Sequence, residues 1–312
     1  MASPAAPAPT ITIRGTRAAY TAAVPITHSI DGEPLAYRVV GTGAATPMLT
    51  VHGLVSSIQH WGFFNEHYAG ARRVLSWEYR GHGGQPAPRD HRTATVAQFA
   101  DDAHAVWRAA GMPPAIVTGL SFGVQVALEL WRGYRDAVRA LVLICGTAGH
   151  PLDRVSQSAA LRRAATGLVR GLARRRFVAR PLLALLRSDA GRKLACEVAF
   201  ASGGASRDAC PREVLDDLFG HVAGLHAELL GEVVAGYLEH DAFDVLPTIT
   251  VPALIIAADG DQLTPVATAE RMQRAIPNSE LVVFSGHSHL VQVEQPREVH
   301  AAIDAFLAKH RL

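Results

Sequence analysis

The chain has 312 residues, of which 49% are hydrophobic and 19% are charged. This apolar share supports a large buried core, and it excludes both disorder over most of the length and a mini-protein held together by metals or disulfides. The 30 Lys and Arg against 28 Asp and Glu give a formal charge of +2. That balance provides no broad cationic surface, so we expect no nucleic-acid partner.

The start of the chain and its cysteines bear on location. The first ten residues, MASPAAPAPT, contain no Lys or Arg and are interrupted by proline, which is not typical of a signal peptide. Three cysteines are too few for a disulfide framework, and Cys145 lies in the apolar run 141–145, where a buried thiol is ordinary. No uncharged apolar run approaches the roughly 20 residues of a membrane helix. We therefore predict a soluble, cytoplasmic protein with a flexible N-terminal extension at 1–24.

Short apolar runs alternate with longer helical patterns along most of the chain. The runs predict strands at 35–40, 48–51, 73–77, 115–118, 140–145, 253–258 and 280–284. The helical patterns predict helices at 96–110, 122–132, 265–275 and 296–308. Asp31-Gly32 is a tight-turn dipeptide and indicates an antiparallel hairpin at the start. This order predicts an α/β fold with a mostly parallel sheet and helices on both faces.

The alternation stops between residues 149 and 247, where the sequence has helical periodicity and no strong strand pattern. We predict a helical cap at 149–247, inserted between the core segments 25–148 and 248–312. The first part of this cap is basic, with only Asp189 nearby to balance Arg162, Arg163, Arg170, Arg174, Arg175, Arg176, Arg180, Arg187, Arg192 and Lys193. Two interpretations remain open: a solvated helical face, or a surface for an anionic partner such as a lipid headgroup or an acidic substrate.

The most informative stretch is Gly119-Leu120-Ser121-Phe122-Gly123, which lies between an apolar strand and an amphipathic helix. A serine hydroxyl is a weak nucleophile, so a fold that uses one must hold it at a sharp turn near the positive N-terminus of a helix. Gly119 and Gly123 remove side chains where such a turn crowds its neighbours. We therefore predict that Ser121 is a catalytic nucleophile; the alternative is a buried turn serine.

A nucleophilic serine requires a histidine base and a carboxylate that orients the histidine. The predicted strand 253–258 is followed by Asp259-Gly260-Asp261, which puts two carboxylates before a helix. Asp259 would lie at the strand end and Asp261 in the loop proper, so we favour Asp261 as the orienting acid and Asp259 as a hydrogen-bonding neighbour. The loop 146–149 carries no carboxylate, which removes the main alternative location for the acid.

Two histidines compete for the role of base. His287 and His289 both follow the predicted strand 280–284, and their spacing alone does not decide between them. They also form an H-x-H fragment, but no third ligand lies at short spacing, so we expect no metal site.

Taken in order, these motifs resemble the α/β-hydrolase superfamily, specifically its single-domain serine hydrolases and esterases with a helical cap. The resemblance covers residue 29 to the C-terminus, excluding most of the cap, and the order Ser, Asp, His is the order that the superfamily uses. The shared motifs are His52-Gly53, Tyr79-Arg80-Gly81-His82-Gly83, the G-L-S-F-G elbow, D-G-D-Q-L-T-P and G-H-S-H-L-V-Q-V-E-Q-P. Family members commonly have Glu five positions after the catalytic histidine, followed by x-Pro. Glu294 and Pro296 then imply His289 as the base, with His287 as runner-up.

The resemblance also implies an oxyanion hole. Its donors would be the backbone N–H groups of Phe122, which follows the nucleophile, and of Leu54, in the loop after His52-Gly53. Backbone donors leave the side chains at these positions free to vary.

Several other motif residues have structural interpretations. The resemblance implies that His52, Arg80 and His82 brace loops, and Glu78 stands where relatives often carry Asp. The aromatic residues Trp61, Phe63 and Phe64 are candidates for substrate binding in an acyl pocket, and packing in the core or cap is an equal alternative.

We expect a serine hydrolase that cleaves a small-molecule carboxylic ester through an acyl-enzyme, with no cofactor. Serine at the elbow argues against dehalogenases and epoxide hydrolases, whose covalent intermediate requires a carboxylate nucleophile. Carbon-carbon bond hydrolases, lactonases, thioesterases and cofactor-free perhydrolases share the triad, and a non-catalytic ligand receptor shares the fold, so these alternatives stay open. A membrane or lipid surface is a further candidate partner, through the basic part of the cap.

Overall fold

The computed structural model describes residues 24–151, 166–169 and 171–312, except for the side chain of Arg176. The predicted N-terminal extension at 1–24 lies outside these residues apart from Val24, and so do residues 152–165 and Arg170 of the basic segment. The strands are β1 (Ile26–His28), β2 (Pro34–Val51), β3 (Arg72–Trp77), β4 (Ala115–Leu120), β5 (Val138–Ile144), β6 (Ala253–Ala258) and β7 (Ser279–Phe284). The helices are α1 (Gly62–Tyr68), α2 (Val96–Ala109), α3 (Phe122–Gly133), α4 (Arg176–Leu186), α5 (Asp189–Ala201), α6 (Arg212–Ala223), α7 (Ala227–Glu239), α8 (Val266–Ala275), α9 (Val291–Glu294) and α10 (Pro296–His310).

The strands form one sheet that is mostly parallel. β1 pairs antiparallel with the start of β2, which is the predicted opening hairpin. Within β3, Val74 pairs with both Val40 and Met48 of β2, so β3 has a part of the long strand β2 on each side. From the second part of β2 the sheet continues through β4, β5, β6 and β7, and all these neighbours are parallel. The predicted α/β fold with a mostly parallel sheet is confirmed.

Helices cover both faces of the sheet because its central strands are apolar on both sides. Val117 and Leu141 point to one face, where they pack with α2, α3 and α8. Ile116 and Val142, one residue away in each strand, point to the opposite face, where they pack with α1 and α10. Adjacent residues of a strand face opposite ways, so an unbroken apolar run serves two cores. This arrangement places the loops after β4, β6 and β7 together at the carboxyl end of the sheet.

Among the described residues, α4, α5, α6 and α7 lie between β5 and β6, and we call them the inserted helices. Ala179, Leu183 and Leu186 of α4 pack with Val222 of α6 and Leu230 of α7 in a separate apolar cluster. No strand interrupts the described part of this region. Among the described residues, no helix of the protein combines the length and the apolar character that crossing a bilayer requires.

Arg80 anchors the loop that follows β3. Its guanidinium is buried, and it donates to both carboxylate oxygens of Asp102 at 2.8 and 2.6 Å. It also donates to both oxygens of Asp31 at 2.8 and 3.2 Å and to the hydroxyl of Thr93 at 2.8 Å. The hydrogen bonds from Arg80 lower the pKa of Asp31 to about 2. Arg80 therefore ties α2 and the β1–β2 turn to this loop, in agreement with the structural role expected from the sequence.

Replacing Arg80 by Met should destabilise the fold by about 3–5 kcal/mol, because the buried carboxylate of Asp102 loses its cation. Urea unfolding followed by circular dichroism measures this change. Arg92→Met is the matched control, since it removes an exposed arginine whose ion pair with Asp90 is also exposed, and it should leave the midpoint almost unchanged. Equal midpoints for both variants would contradict the assigned role.

The ion pair of Asp31 also has a pH dependence. The pKa of Asp31 is about 2 in the folded protein, below its ordinary value of 3.8. The ion pair therefore contributes its full stability at pH values above 3.8 and loses it as the pH falls toward 2. Between these two pH values, wild type should therefore lose more stability than Asp31→Asn, which lacks the titrating group. Parallel acid-unfolding curves for the two proteins in this range would contradict the prediction.

Candidate active site

Ser121 lies at the junction between β4 and α3 in a strained backbone conformation. Its φ is 54° and its ψ is −116°, whereas non-glycine residues rarely adopt positive φ. The turn is tight: a Cβ on Gly119 would lie 2.5 Å from the carbonyl oxygen of Gly123, and a Cβ on Gly123 would lie 2.2 Å from that of Val51. The Ser121 N–H donates to the carbonyl of Ile144 at 2.8 Å. The two glycines thus permit the turn, and β5 fixes it.

The structure brings Ser121, His289 and Asp261 together in one hydrogen-bonded chain. The Nε2 atom of His289 lies 2.9 Å from the Oγ of Ser121. The Nδ1 atom of the same ring lies 2.8 Å from Oδ2 of Asp261. With Nδ1–H donating to the carboxylate, Nε2 is left as the acceptor for the serine hydroxyl. This arrangement has the geometry of a nucleophile, a base and an orienting acid.

Asp261 is buried, and all its hydrogen bonds favour the ionised form. Oδ1 accepts the backbone N–H groups of Leu263 and Thr264 at 2.7 and 2.9 Å. Oδ2 accepts the Thr264 hydroxyl at 2.5 Å in addition to His289. Burial by itself would raise the pKa of Asp261, but the hydrogen bonds from His289 and Thr264 outweigh it and hold the pKa below the ordinary value. The carboxylate is therefore charged and fixed in position.

Asp259, the second carboxylate of this loop, makes different contacts. Its Oδ2 accepts the hydroxyl of Ser285 at 2.6 Å, and its Oδ1 accepts the N–H of Gly286 at 2.7 Å. These hydrogen bonds lower the pKa of Asp259, which is exposed. Asp259 therefore joins the loops after β6 and β7 and has the neighbouring role that the sequence suggested.

His287 faces a different partner from His289. Its Nδ1 atom lies 3.4 Å from Oε2 of Glu294, and its carbonyl accepts the N–H of Gly260 at 2.9 Å. Among the described residues, it makes no contact with Ser121. Of the two histidines, the structure thus places only His289 against the serine.

Glu294 holds the histidine loop from behind. Its carboxylate accepts the backbone N–H of Ser288 at 2.8 Å and also the Ser288 hydroxyl. It accepts the N–H of Ser206, which lies between the inserted helices α5 and α6, at 2.7 Å. One buried carboxylate thereby links the residue before His289 to the inserted helices.

The loop after β2 lies beside the serine. A Cβ on Gly53 would lie 3.8 Å from the Cβ of Ser121, and the Leu54 N–H donates to no acceptor among the described residues. Phe122 begins α3, so its N–H belongs to the first turn, which has no intrahelical acceptor. The predicted donor positions therefore flank the nucleophile.

Two histidines brace this loop. The Nδ1 of His52 donates to the carbonyl of Gly53 at 3.0 Å, and its Nε2 accepts the N–H of Tyr79 at 3.3 Å. The tyrosine hydroxyl donates to the His52 carbonyl at 2.7 Å. Burial, with His82 nearby, holds the pKa of His52 well below its ordinary value, so the ring is neutral. His82 contacts the carbonyl of Leu54 at 3.4 Å, and both rings have the structural roles expected of them.

The three aromatic candidates for substrate binding have unequal environments. Trp61 and Phe64 are only 3% and 5% exposed and pack edge to face, with ring centroids 5.1 Å apart. Both belong to the core beneath α10, together with Tyr68. The structure thus places them in the core, which is the alternative that the sequence left open. Phe63 is half-buried, and its contact with substrate stays a prediction.

Some site residues were not found from the sequence. The hydroxyl of Thr264 donates to Asp261, and its oxygen lies 3.5 Å from Nδ1 of His289. A threonine in a loop gives no signal of such a role in the sequence. Cys145 has φ 44° and a thiol in hydrogen-bonding contact with Asp261; burial first, and then this carboxylate, raise the pKa of the thiol. Among the described residues, no group of three His, Cys, Asp or Glu side chains is arranged to bind a metal ion.

The family model of the alpha/beta hydrolases matches residues 48–302. The chain belongs to the alpha/beta hydrolase family. A pimeloyl-[acyl-carrier protein] methyl ester esterase of Aromatoleum aromaticum is 28% identical over 273 residues, which are 82% of this chain and 96% of that protein. The resemblance to this family, drawn from motifs alone, is thus confirmed.

Solved structures of hydrolases share the fold. An esterase from Thermogutta terrifontis with bound malate is 25% identical, with a TM-score of 0.71 over 92% of this chain and 97% of that one. The enol-lactonase of Burkholderia xenovorans is 20% identical, with a TM-score of 0.72 over 91% of this chain and all of that one. At that identity the lactonase shows the common fold alone.

Replacing Glu294 by Ala should destabilise the protein by about 3 kcal/mol, because the N–H groups of Ser288 and Ser206 lose their acceptor. Thermal and urea unfolding measure the change. Glu298→Ala is the control, since Glu298 is exposed in the first turn of α10. If both variants unfold at the wild-type midpoint, Glu294 does not hold the histidine loop.

Proposed function

We propose that the protein hydrolyses small-molecule carboxylic esters through an acyl-enzyme formed on Ser121. The observation that supports this most directly is the chain from Ser121 to His289 to Asp261, with contacts of 2.9 and 2.8 Å. A base within hydrogen-bonding reach of the serine, itself oriented by a buried carboxylate, is what acyl transfer by a hydroxyl requires.

In the first half-reaction, the Oγ of Ser121 attacks the ester carbonyl carbon while Nε2 of His289 accepts the hydroxyl proton. The ionised Asp261 stabilises the imidazolium that forms and keeps the ring in the correct tautomer. The carbonyl oxygen becomes an oxyanion, which the N–H groups of Leu54 and Phe122 receive. Each such donor contributes about 3 kcal/mol of transition-state stabilisation.

The tetrahedral intermediate then collapses. The bond to the alcohol oxygen breaks, and His289 donates its proton to the leaving alcohol. A water molecule takes the place of the alcohol, loses a proton to His289 and attacks the acyl carbon of the ester on Ser121. Expulsion of the serine oxygen, reprotonated by His289, releases the carboxylic acid and restores the free enzyme.

Ester hydrolysis is proposed ahead of the other reactions that this triad supports. Serine at the elbow disfavours halide and epoxide chemistry, which needs a carboxylate nucleophile. Two of the similar proteins described above are esterases by name. Carbon-carbon bond hydrolysis, lactone hydrolysis and thioester hydrolysis differ in the substrate pocket, and no described contact favours them.

We also propose a cytoplasmic location. The three cysteines, Cys145, Cys196 and Cys210, are buried and free, and free thiols are typical of reducing compartments. Fractionation of the source cells tests this proposal, and recovery of the protein outside the cytoplasm would contradict it.

Labelling with a fluorophosphonate probe tests the nucleophile and the base together. Wild type should label and should turn over p-nitrophenyl esters, whereas Ser121→Ala should lose both. His289→Ala should lower turnover by on the order of 10⁴-fold or more, since the base is gone. His287→Ala is the matched control and should retain most activity.

The outcomes of this experiment separate the alternatives. Loss of activity in His287→Ala with activity retained in His289→Ala would reverse the assignment of the base. A folded wild type that binds the probe but turns over only thioesters or lactones would replace the ester by that substrate class. If it neither labels nor turns over any ester, the receptor alternative replaces the enzyme.

The two loop carboxylates provide a second matched pair. Asp261→Asn should lower kcat by about 10⁴-fold, because an amide favours the wrong tautomer of His289. Asp259→Asn should stay within about tenfold of wild type, since its carboxylate accepts from Ser285 and Gly286 and not from His289. Steady-state kinetics on one p-nitrophenyl ester measures both, and equal losses would contradict the distinction between them.

A further inference from the structure

Helix α4 presents apolar side chains on two sides. Ala179, Leu183 and Leu186 form a buried stripe in the core of the inserted helices. Val178, Leu182 and Leu185, at the spacing i, i+4 and i+7, form a second stripe whose side chains are 41%, 49% and 46% exposed. A stripe of apolar side chains on a helix ordinarily faces a core. The second stripe therefore lacks a covering element among the described residues.

Exposed apolar residues concentrate around this stripe. Nine of the 14 exposed large hydrophobic residues of the described chain lie between positions 168 and 198. We call these nine the apolar surface: Leu168, Val169, Leu172, Phe177, Val178, Leu182, Leu185, Leu194 and Val198. Phe177 is the largest and is 66% exposed; Leu194 and Val198 are one turn apart on α5, which packs against α4. Such a concentration on a protein surface marks a site of interaction.

The same segment is strongly cationic. Residues 168–198 contain eight Lys and Arg and two Asp and Glu, a net charge of +6. Three of the arginines are paired with carboxylates of α6 and α7: Arg174 with Glu232, Arg180 with Glu228 and Arg192 with Asp216. Within the described part of the chain, Arg175, Arg187 and Lys193 contact no carboxylate. Cationic groups thus remain available beside the apolar side chains.

Charge decides among the candidate occupants. A second copy of the chain would bring another cationic segment against this one. An anionic bilayer accepts both features, since apolar side chains enter the acyl boundary while Arg and Lys meet lipid headgroups. We propose that the apolar surface docks the protein on an anionic lipid bilayer.

Vesicle co-sedimentation tests this proposal with the full-length protein and without any need for turnover, so it stands or falls separately from ester hydrolysis. Wild type should bind vesicles of phosphatidylcholine that contain about 30 mol% phosphatidylglycerol. It should not bind vesicles of pure phosphatidylcholine. The double variant Phe177→Ser, Leu182→Ser should bind at least about tenfold more weakly. The double variant Arg175→Glu, Lys193→Glu should also bind these anionic vesicles at least about tenfold more weakly.

Two control variants match these changes elsewhere on the surface. Ile26→Ser, Ile30→Ser removes two apolar residues that are 62% and 90% exposed near β1. Arg108→Glu, Arg297→Glu reverses two exposed cations on α2 and α10. Both should bind like wild type, and circular dichroism should give all four variants the wild-type melting temperature within a few degrees.

Three outcomes would overturn the proposal. The first is wild type that binds neither vesicle, and the second is equal binding by the variants and their controls. The third is a wild-type protein that light scattering shows to be a dimer and a double variant Phe177→Ser, Leu182→Ser that is a monomer. A second copy of the chain, and not a bilayer, would then cover the apolar surface. Displacement from anionic vesicles by raised salt supports the proposal, since screening weakens the headgroup contacts.

Discussion

The backbone of Ser121 turns from β4 into α3 with φ 54°, and the rest of the site depends on this conformation. A non-glycine residue held there costs on the order of 1–3 kcal/mol, so the surrounding elements must hold it in place. They do so through the close approach of Gly119 to Gly123, the contact of α3 with the end of β2, and the hydrogen bond from Ser121 to Ile144. A relaxed backbone would turn the hydroxyl away from His289.

The charged half of the site depends on a different constraint, which is the satisfaction of a buried carboxylate. Asp261 is 2% exposed, and an unpaired charge at that depth would be protonated or would destabilise the fold. Leu263, Thr264 and His289 donate hydrogen bonds to it. The contacts that keep Asp261 ionised are therefore also the contacts that orient the histidine. Stability and chemistry use the same hydrogen bonds here.

Much of the fold could be predicted from the sequence because its signals are local. The apolar runs at β4 and β6 gave strands within two residues of those observed, and the tight-turn dipeptide at Asp31 marked the opening hairpin. The three-residue strand β1 was missed, and so was the joining of 35–40 and 48–51 into one long β2. Neither β1 nor the linking residues 41–47 contain an apolar run. For the site, the G-L-S-F-G elbow indicated Ser121 and the loop after β6 indicated Asp261, whereas only the resemblance to the family favoured His289 over His287.

What the sequence did not give were contacts between distant residues. Glu294 and Ser206 are 88 residues apart, and no local pattern relates them. Similarly, Trp61 and Phe64 look the same as pocket residues in the sequence, and only the position of α10 shows that they pack in the core. The second apolar stripe of α4 is another case, because periodicity reveals apolar positions but not which of them a neighbouring element covers.

The proposed acyl-enzyme on Ser121 is tested most directly by trapping the acyl group on the chain. Wild type mixed with p-nitrophenyl acetate should be quenched with acid on the millisecond timescale, digested and examined by mass spectrometry. We expect one acetyl group per chain, on the peptide that contains Ser121, formed at the same rate as the first equivalent of p-nitrophenol. Acetylation of any other residue, or turnover with no covalent adduct at any time, would contradict it.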